Sequence, residues 1–324
     1  SMRRITVSAV GETGMLEWIR RAADKRLGPN VLLGPGDDCA VLETGSRNKL
    51  VLTADSMAEG THFINPLENP ERIARKLARI NASDLAAMGA VRPLCALCDA
   101  ALPRTAPWDW TKRFTGALIG ECARLGMPLA GGNLTRSDKM HFCLTAAGLA
   151  DKKFIIKRSS ARPGELVFGL GRLGEAAAYV DALKGRAKKS ASLVEKSFWL
   201  PEPQLEAGAR LARLGLATAM LDNSDGLIKS VKILAAASGC GARMEVGSQW
   251  CSAALRRFCG ANGKDWRSYA VIGGEDYGLV FTVKAKDKAR LKKHFPGAYY
   301  IGEMAKGGGV VCGGYEKREG FEHF

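Results

Sequence analysis

Asp84 lies in Asn81-Ala-Ser-Asp-Leu-Ala-Ala-Met88, a helix-forming stretch so apolar that a folded chain has to bury it. A carboxylate taken out of water without a partner costs several kcal/mol even after relaxation, so such a residue demands an explanation. Similar acids recur along the chain. Asp37 and Asp38 fall in Gly34-Pro-Gly-Asp-Asp-Cys-Ala40, a glycine-rich turn entering an apolar strand. Asp55 is expected to end the next strand, which opens with Leu50-Val-Leu52, and Asp222 and Asp225 bracket a helix start in Leu221-Asp-Asn-Ser-Asp-Gly-Leu227. Singly, each has a local reading: Asp222 or Ser224 as a helix cap, Asp37 as the closure of a turn. Together they point to a site that gathers carboxylates around a cation. Oxygen-only donors suit magnesium, which takes few carboxylates directly and leaves positions open for phosphate oxygens. With only four histidines in the chain, a His-rich zinc or iron site has little to draw on.

The punctuation of the sequence predicts mixed α/β structure. Helices are expected over 15–27, 70–90, 113–125, 205–214 and 227–237, closed by glycines such as Gly28, Gly89 and Gly126. Strands are expected over 140–149, 166–170, 217–221 and 279–283. The first half lacks the regular alternation of a doubly wound sheet. A polar, turn-rich stretch near 150–165 predicts two domains, 1–150 and 151–324, which suits a length of 324 residues.

Composition narrows the function further. No apolar run is long enough to span a membrane, and the start of the chain lacks a signal peptide's apolar stretch. Ser1 ahead of Met2 is expected to be a residue left by cloning. Nine scattered cysteines give no complete disulfide framework, so a reducing cytoplasm is the expected location. Cys95 and Cys98 lie in an apolar run that reads as a buried strand, where side chains three apart face opposite ways and cannot easily share a metal. A net charge of +15 favours anionic partners. Clusters such as Lys284 to Lys293 read as solvated helix faces without a nucleic-acid motif, so no nucleic-acid partner is expected. Among nucleotide cradles, GxxxxGK[ST] is absent. Gly169-Leu-Gly-Arg-Leu-Gly174 matches GxGxxG after a strand, but no acid follows at the spacing that a ribose-binding carboxylate needs.

Ordered along the chain, these motifs resemble those of thiamine-monophosphate kinases, in the superfamily that includes aminoimidazole ribonucleotide synthetase. Gly34 to Ala40 resembles G-x-G-D-D-x-A, and Thr53-Ala-Asp55 through Glu59-Gly-Thr-His-Phe63 resembles T-D-x-x-x-E-G-x-H-F. Asn81 to Ala90, Pro201-Glu-Pro203, Asp222 to Leu227, Gly273-Gly-Glu-Asp-Tyr277 and the tail Gly320-Phe-Glu-His-Phe324 follow in family order. The resemblance implies a two-domain aminoimidazole ribonucleotide synthetase-like α/β fold with mixed sheets, dimerising through its N-terminal domain. It also implies direct in-line transfer of the ATP γ-phosphoryl group to thiamine monophosphate, with magnesium. On this resemblance Asp38, Asp55, Asp84, Asn133, Asp222 and Asp225 would hold metal. Gly132, Asn133, Arg158 and Ser224 would meet ATP, and His62, Glu275 and Phe321 the thiamine moiety, with Glu275 as counter-charge to the cationic ring. No residue would act as a dedicated general base. Three positions depart from the pattern: Asn133 replaces a metal-binding acid, Ala54 a hydroxyl residue, and Gly278 an acid after Asp276-Tyr277. An amide carries no charge, so one magnesium position is expected to be weakened. Two alternatives stay open: a related ATP-dependent enzyme with another phosphate-bearing acceptor, and a non-catalytic nucleotide- or nucleic-acid-binding protein.

Overall fold

A computed structural model describes residues 6–63 and 69–317. In the first half, α1 (Val7–Asp24) precedes β1 (Val31–Leu33), β2 (Ala40–Leu42) and β3 (Asn48–Ala58). Then come α2 (Pro70–Ala87), β4 (Arg92–Leu102), α3 (Trp108–Arg124), β5 (Leu129–Arg136) and β6 (His141–Asp151). The six strands form one sheet in the order β1-β2-β3-β6-β4-β5, antiparallel except for the β4–β5 pair. The second half supplies β7 (Leu166–Leu170), α4 (Glu175–Leu183), α5 (Glu195–Trp199), α6 (Leu205–Arg213), β8 (Ala217–Asp222), α7 (Leu227–Ala237) and β9 (Gly241–Met244). It ends with α8 (Ala253–Asn262), α9 (Trp266–Ile272), β10 (Leu279–Val283), α10 (Lys288–His294), β11 (Tyr299–Ala305) and β12 (Val310–Val311). Its sheet runs β12-β9-β11-β7-β10-β8, again mixed.

Helix α2 joins the two halves. Asn69 caps it by accepting the Glu71 N–H at 3.0 Å, and Pro70 occupies the first helical position, where its missing N–H costs nothing. It packs on β3, β6 and α3 and reaches β8 and α6 of the second half. Ile73, Leu77 and Leu85 are fully buried, each contributing about 1.5–3 kcal/mol. The second half of the helix, from Ile80 to Ala87, is buried nearly all round, whereas Arg75 in its first half is exposed. Gly89 ends the segment at φ +93°, where a Cβ would meet the Phe154 carbonyl at 2.4 Å.

Several expected elements differ in extent. Strand β3 does not end at Asp55 but runs to Ala58, because β6 pairs with it over its whole length, from Asn48↔Asp151 to Ala58↔His141. Helices α1 and α3 start earlier than their apolar spacing suggested, α1 with a kink at Gly11. The Lys284–Lys293 stretch is a short 3-10 turn followed by α10. The Cys95–Cys98 strand is half-buried: α2 and α3 cover one face of the sheet, while Leu97 on β4 stays 48% exposed.

Candidate active site

Asp38, Asp84 and Asp222 come together where the two halves meet, with one oxygen of each lying within 4.8 Å of the others. Asp38 follows the Gly34–Gly36 turn, Asp84 stands on the last turns of α2, and Asp222 closes β8. Each is fixed by a neighbour. The Thr53 hydroxyl donates to Asp84 at 2.6 Å and the Ser83 hydroxyl to Asp222 at 2.8 Å. Arg158 clamps Asp38 with two hydrogen bonds, Nη2 at 2.5 Å and Nε at 3.2 Å, and its backbone N–H donates to Asp37 at 3.2 Å. Asp55 faces the same cluster from β3, and its N–H donates to the Asn81 side chain at 3.0 Å.

This is an arrangement that repels itself. Burial, then Asp222, Asp55 and Asp38, drives the Asp84 carboxyl well above its ordinary range. Burial and Asp38 push Asp222 up to about 8, and burial and Asp38 raise Asp37 to about 6. Burial opposes charge on Arg158 too, yet Asp38 holds its guanidinium above its ordinary value. Asp84 also stands near the negative end of the α2 dipole, which disfavours an anion there. One guanidinium among five carboxylates leaves surplus negative charge on oxygen donors only. A hard divalent cation fits that donor set.

Two loops carry the cluster toward a neighbouring cavity. Residues 222–225 and 275–278 are zipped together by backbone bonds: Glu275 N–H to Ser224 O at 2.5 Å, Tyr277 N–H to Asn223 O at 2.9 Å and Asn223 N–H to Gly278 O at 2.8 Å. The second loop bends sharply, with Glu275 at φ +69° and Tyr277 at φ +50°, a conformation that costs a non-glycine residue energy and is held by its surroundings. Beside it opens a cavity of about 470 Å³ lined by His62, Phe198, Trp199, Tyr269 and Glu275, among others. The His62 ring is oriented by the Ala58 N–H, which donates to Nδ1 at 3.1 Å. Glu275 is ion-paired with Lys76 of α2.

The remaining sequence-derived positions scatter. Asp225 pairs with Lys229 at 2.9 Å, outside the three-acid cluster. Asn133 is exposed on β5 and contacts Asp99 at 3.4 Å. It aligns across the sheet with Asp99, Cys143 and Ser56, one residue out of step with Asp55 and Leu144, so the two positions use opposite faces of the sheet. Gly132, its neighbour, is crossed closely by β4: a Cβ there would sit 1.8 Å from the Cys98 carbonyl. Gly278 is packed against the Leu170 carbonyl, 2.3 Å from where a Cβ would stand, so no acid fits there. Phe321 lies outside the described residues. The GxGxxG match does open a helix, but its N-terminus is filled from within. The Gly174 N–H donates to both oxygens of Asp276, at 3.0 and 2.9 Å, leaving no place for a pyrophosphate.

The sequence reading missed Lys76, Thr53, Ser83, Asn81, Phe198, Trp199 and Tyr269. Ser83 and Asn81 stood inside a quoted motif and could have been found as polar residues in an apolar helix; the three aromatics carry no local signal at all.

Residues 36–150 match the AIR synthase related protein N-terminal domain family, and residues 162–313 its C-terminal domain family. The thiamine-monophosphate kinase of Salmonella typhimurium is 33% identical over 288 residues, covering 87% of this chain and 86% of that protein. That of Haemophilus influenzae is 30% identical over 316 residues, covering 91% and 92%. A solved structure, AaThiL complexed with AMPPCP and TMP, matches with a TM-score of 0.88 at 27% identity, covering 100% of both chains. With this coverage, identity and fold, the chain belongs to the thiamine-monophosphate kinase family, within the AIR synthase related proteins.

Proposed function

We propose that this protein transfers the γ-phosphoryl group of ATP to thiamine monophosphate, giving thiamine diphosphate and ADP, and that it does so with magnesium. The observation that carries this reading is the convergence of Asp38, Asp84 and Asp222 from both halves beside a cavity of ring-binding size. The similarity to a structure complexed with AMPPCP, an ATP analogue, and TMP supports the choice of substrates. A phosphate oxygen of the acceptor attacks the γ-phosphorus in line while the bond to the β,γ-bridging oxygen breaks, and ADP leaves. The acceptor is already anionic, so no side chain has to remove a proton. Catalysis then rests on positioning and on charge neutralisation between mutually repelling phosphates. Magnesium, held by Asp38, Asp84 and Asp222 with Asp55 beside them, would supply that neutralisation.

The chain's own residues do the rest. Arg158, fixed by Asp38, offers a rigid cation toward the nucleotide, with Gly132, Asn133 and Ser224 as further ATP contacts. Asp225 adds negative charge at the rim of the metal site, and Asn133 weakens one magnesium position by lacking it. His62 and the walls of the cavity hold the thiamine ring system, with Phe321 of the tail as an additional contact. We place residues 1–150 as the ATP, magnesium and dimerisation domain and 151–324 as the second α/β domain. A homodimer is supported by β5, an edge strand exposed along nearly its whole length, with Leu134 at 79% exposure. The nine free thiols suit the reducing cytoplasm; among the described residues no helix is long and apolar enough to cross a membrane. The test is direct. Purified protein with ATP, thiamine monophosphate and magnesium is expected to form thiamine diphosphate, resolved by chromatography. No product at any magnesium concentration would reject the proposal.

A further inference from the structure

Two carboxylates line the cavity assigned to the thiamine ring, Glu275 and Asp181. Both are already matched by groups of this chain. Glu275 is ion-paired with Lys76, whose side chain is 1% exposed behind the cavity wall. The same ammonium lies 3.3 Å from the centroid of Phe198, so that ring already holds a cation on one face. Asp181 accepts the Tyr269 hydroxyl at 2.8 Å and faces Arg186 at 3.5 Å. The other titratable groups lining the cavity are Tyr269, whose hydroxyl donates to Asp181, His62, whose Nδ1 accepts the Ala58 N–H, and the basic Lys184. Among the described residues, a cation entering this cavity meets no carboxylate that the protein has not already engaged with a hydrogen bond or an ion pair.

We infer that the cavity recognises the thiamine ring system by apolar contact and shape rather than by its positive charge, and that Lys76 is the residue that sets this indifference. Glu275 is then a wall held in place by Lys76, not a counter-charge awaiting substrate. It follows that the monophosphate of a neutral isostere, with carbon in place of the thiazolium nitrogen, is phosphorylated about as well as thiamine monophosphate. The inference rests on the reading that thiamine monophosphate occupies this cavity.

The experiment compares kcat/KM for the charged and the neutral-ring monophosphates. A working cation-recognition wall would favour the charged ring by about tenfold to thirtyfold, whereas the expected ratio lies within about threefold of unity. Lys76→Met keeps the apolar stem but leaves the Glu275 charge without its ion-pair partner. It is expected to raise the preference for the charged ring to about tenfold, chiefly through KM. Lys76→Arg, which retains the charge, is expected to leave the ratio flat. A purely structural role for Lys76 would lower both substrates together in the Met variant and leave the ratio unmoved, which would overturn its assignment. A wild-type preference above about tenfold would overturn the inference outright, whether or not the Met variant folds. Failure to turn over thiamine monophosphate itself would be a different result: it strikes the functional reading, and this inference with it.

Discussion

Asp222 shows how one residue can be poor for stability and necessary for chemistry. It is buried, close to Asp38 and Asp84, and relieved by the Ser83 hydroxyl and the more distant Arg158. Asparagine at this position keeps the size and can still accept from Ser83, but removes a charge that its surroundings disfavour. The metal-free Asp222→Asn variant is therefore expected to melt no lower than wild type. Its turnover at saturating magnesium is expected to fall about a hundredfold or more, as when a preorganised group facing transition-state charge is lost. Melting curves in chelator, run beside steady-state assays, separate the two effects; a variant that loses stability and activity together would make Asp222 a structural residue. Taken singly, Asp222 reads equally well as a helix cap; the recurrence of acids in apolar surroundings along the chain is what points to a shared site. Sequence reasoning fails at Lys76. Arg72, Arg75, Lys76 and Arg79 look alike in sequence, and only the arrival of Phe198 and Glu275 from the other half decides which of them is enclosed.

At the scale of elements, the same contrast separates what was legible from what was not. Helix α2, β8 and α7 could be read because apolar periodicity and glycine stops are local signals. The extension of β3 past Asp55 depends on β6, almost a hundred positions away, and the one-sided burial of β4 depends on which face α2 and α3 choose. The GxGxxG segment is a case where motif and element agree while the function differs. Asp276 occupies the α4 N-terminus with the protein's own carboxyl group, which burial drives well above the ordinary range. That contact anchors the loop that bends Glu275 and Tyr277 into positive φ. Removing it with Asp276→Ala is expected to cost about 1–3 kcal/mol by leaving the Gly174 N–H buried without an acceptor, seen as a fall of a few degrees in Tm. Asp276→Asn keeps an acceptor oxygen and is expected to cost less. Thermal unfolding of the pair checks this, and equal losses would show that charge, not the hydrogen bond, holds the loop.

The whole molecule is two α/β halves joined through α2, with the acids of one cluster drawn from both. Asp38 and Asp84 come from the first half and Asp222 from the second, so a cation bound among them ties the halves together. The pH dependence of that tie follows from the direction of the shifts. Asp37 is raised to about 6 and Asp222 to about 8 by burial and by Asp38. A raised carboxyl binds its proton more tightly folded than unfolded. Its contribution is therefore fully present below the unfolded carboxylate range and is lost as pH rises through the folded values. The metal-free protein is thus expected to lose stability between about pH 4 and pH 8 from these groups. Magnesium competes with the same protons and binds only the folded cluster, so its stabilisation grows as they leave. The rise in Tm on adding magnesium is expected to be small near pH 5.5 and several times larger near pH 8.5. In Asp222→Asn the difference between the two conditions should shrink, because one of the titrating oxygens is gone. Differential scanning calorimetry at both pH values, with chelator and with magnesium, measures all four quantities, and a magnesium shift that is the same at both would mean that the aspartates do not hold the ion.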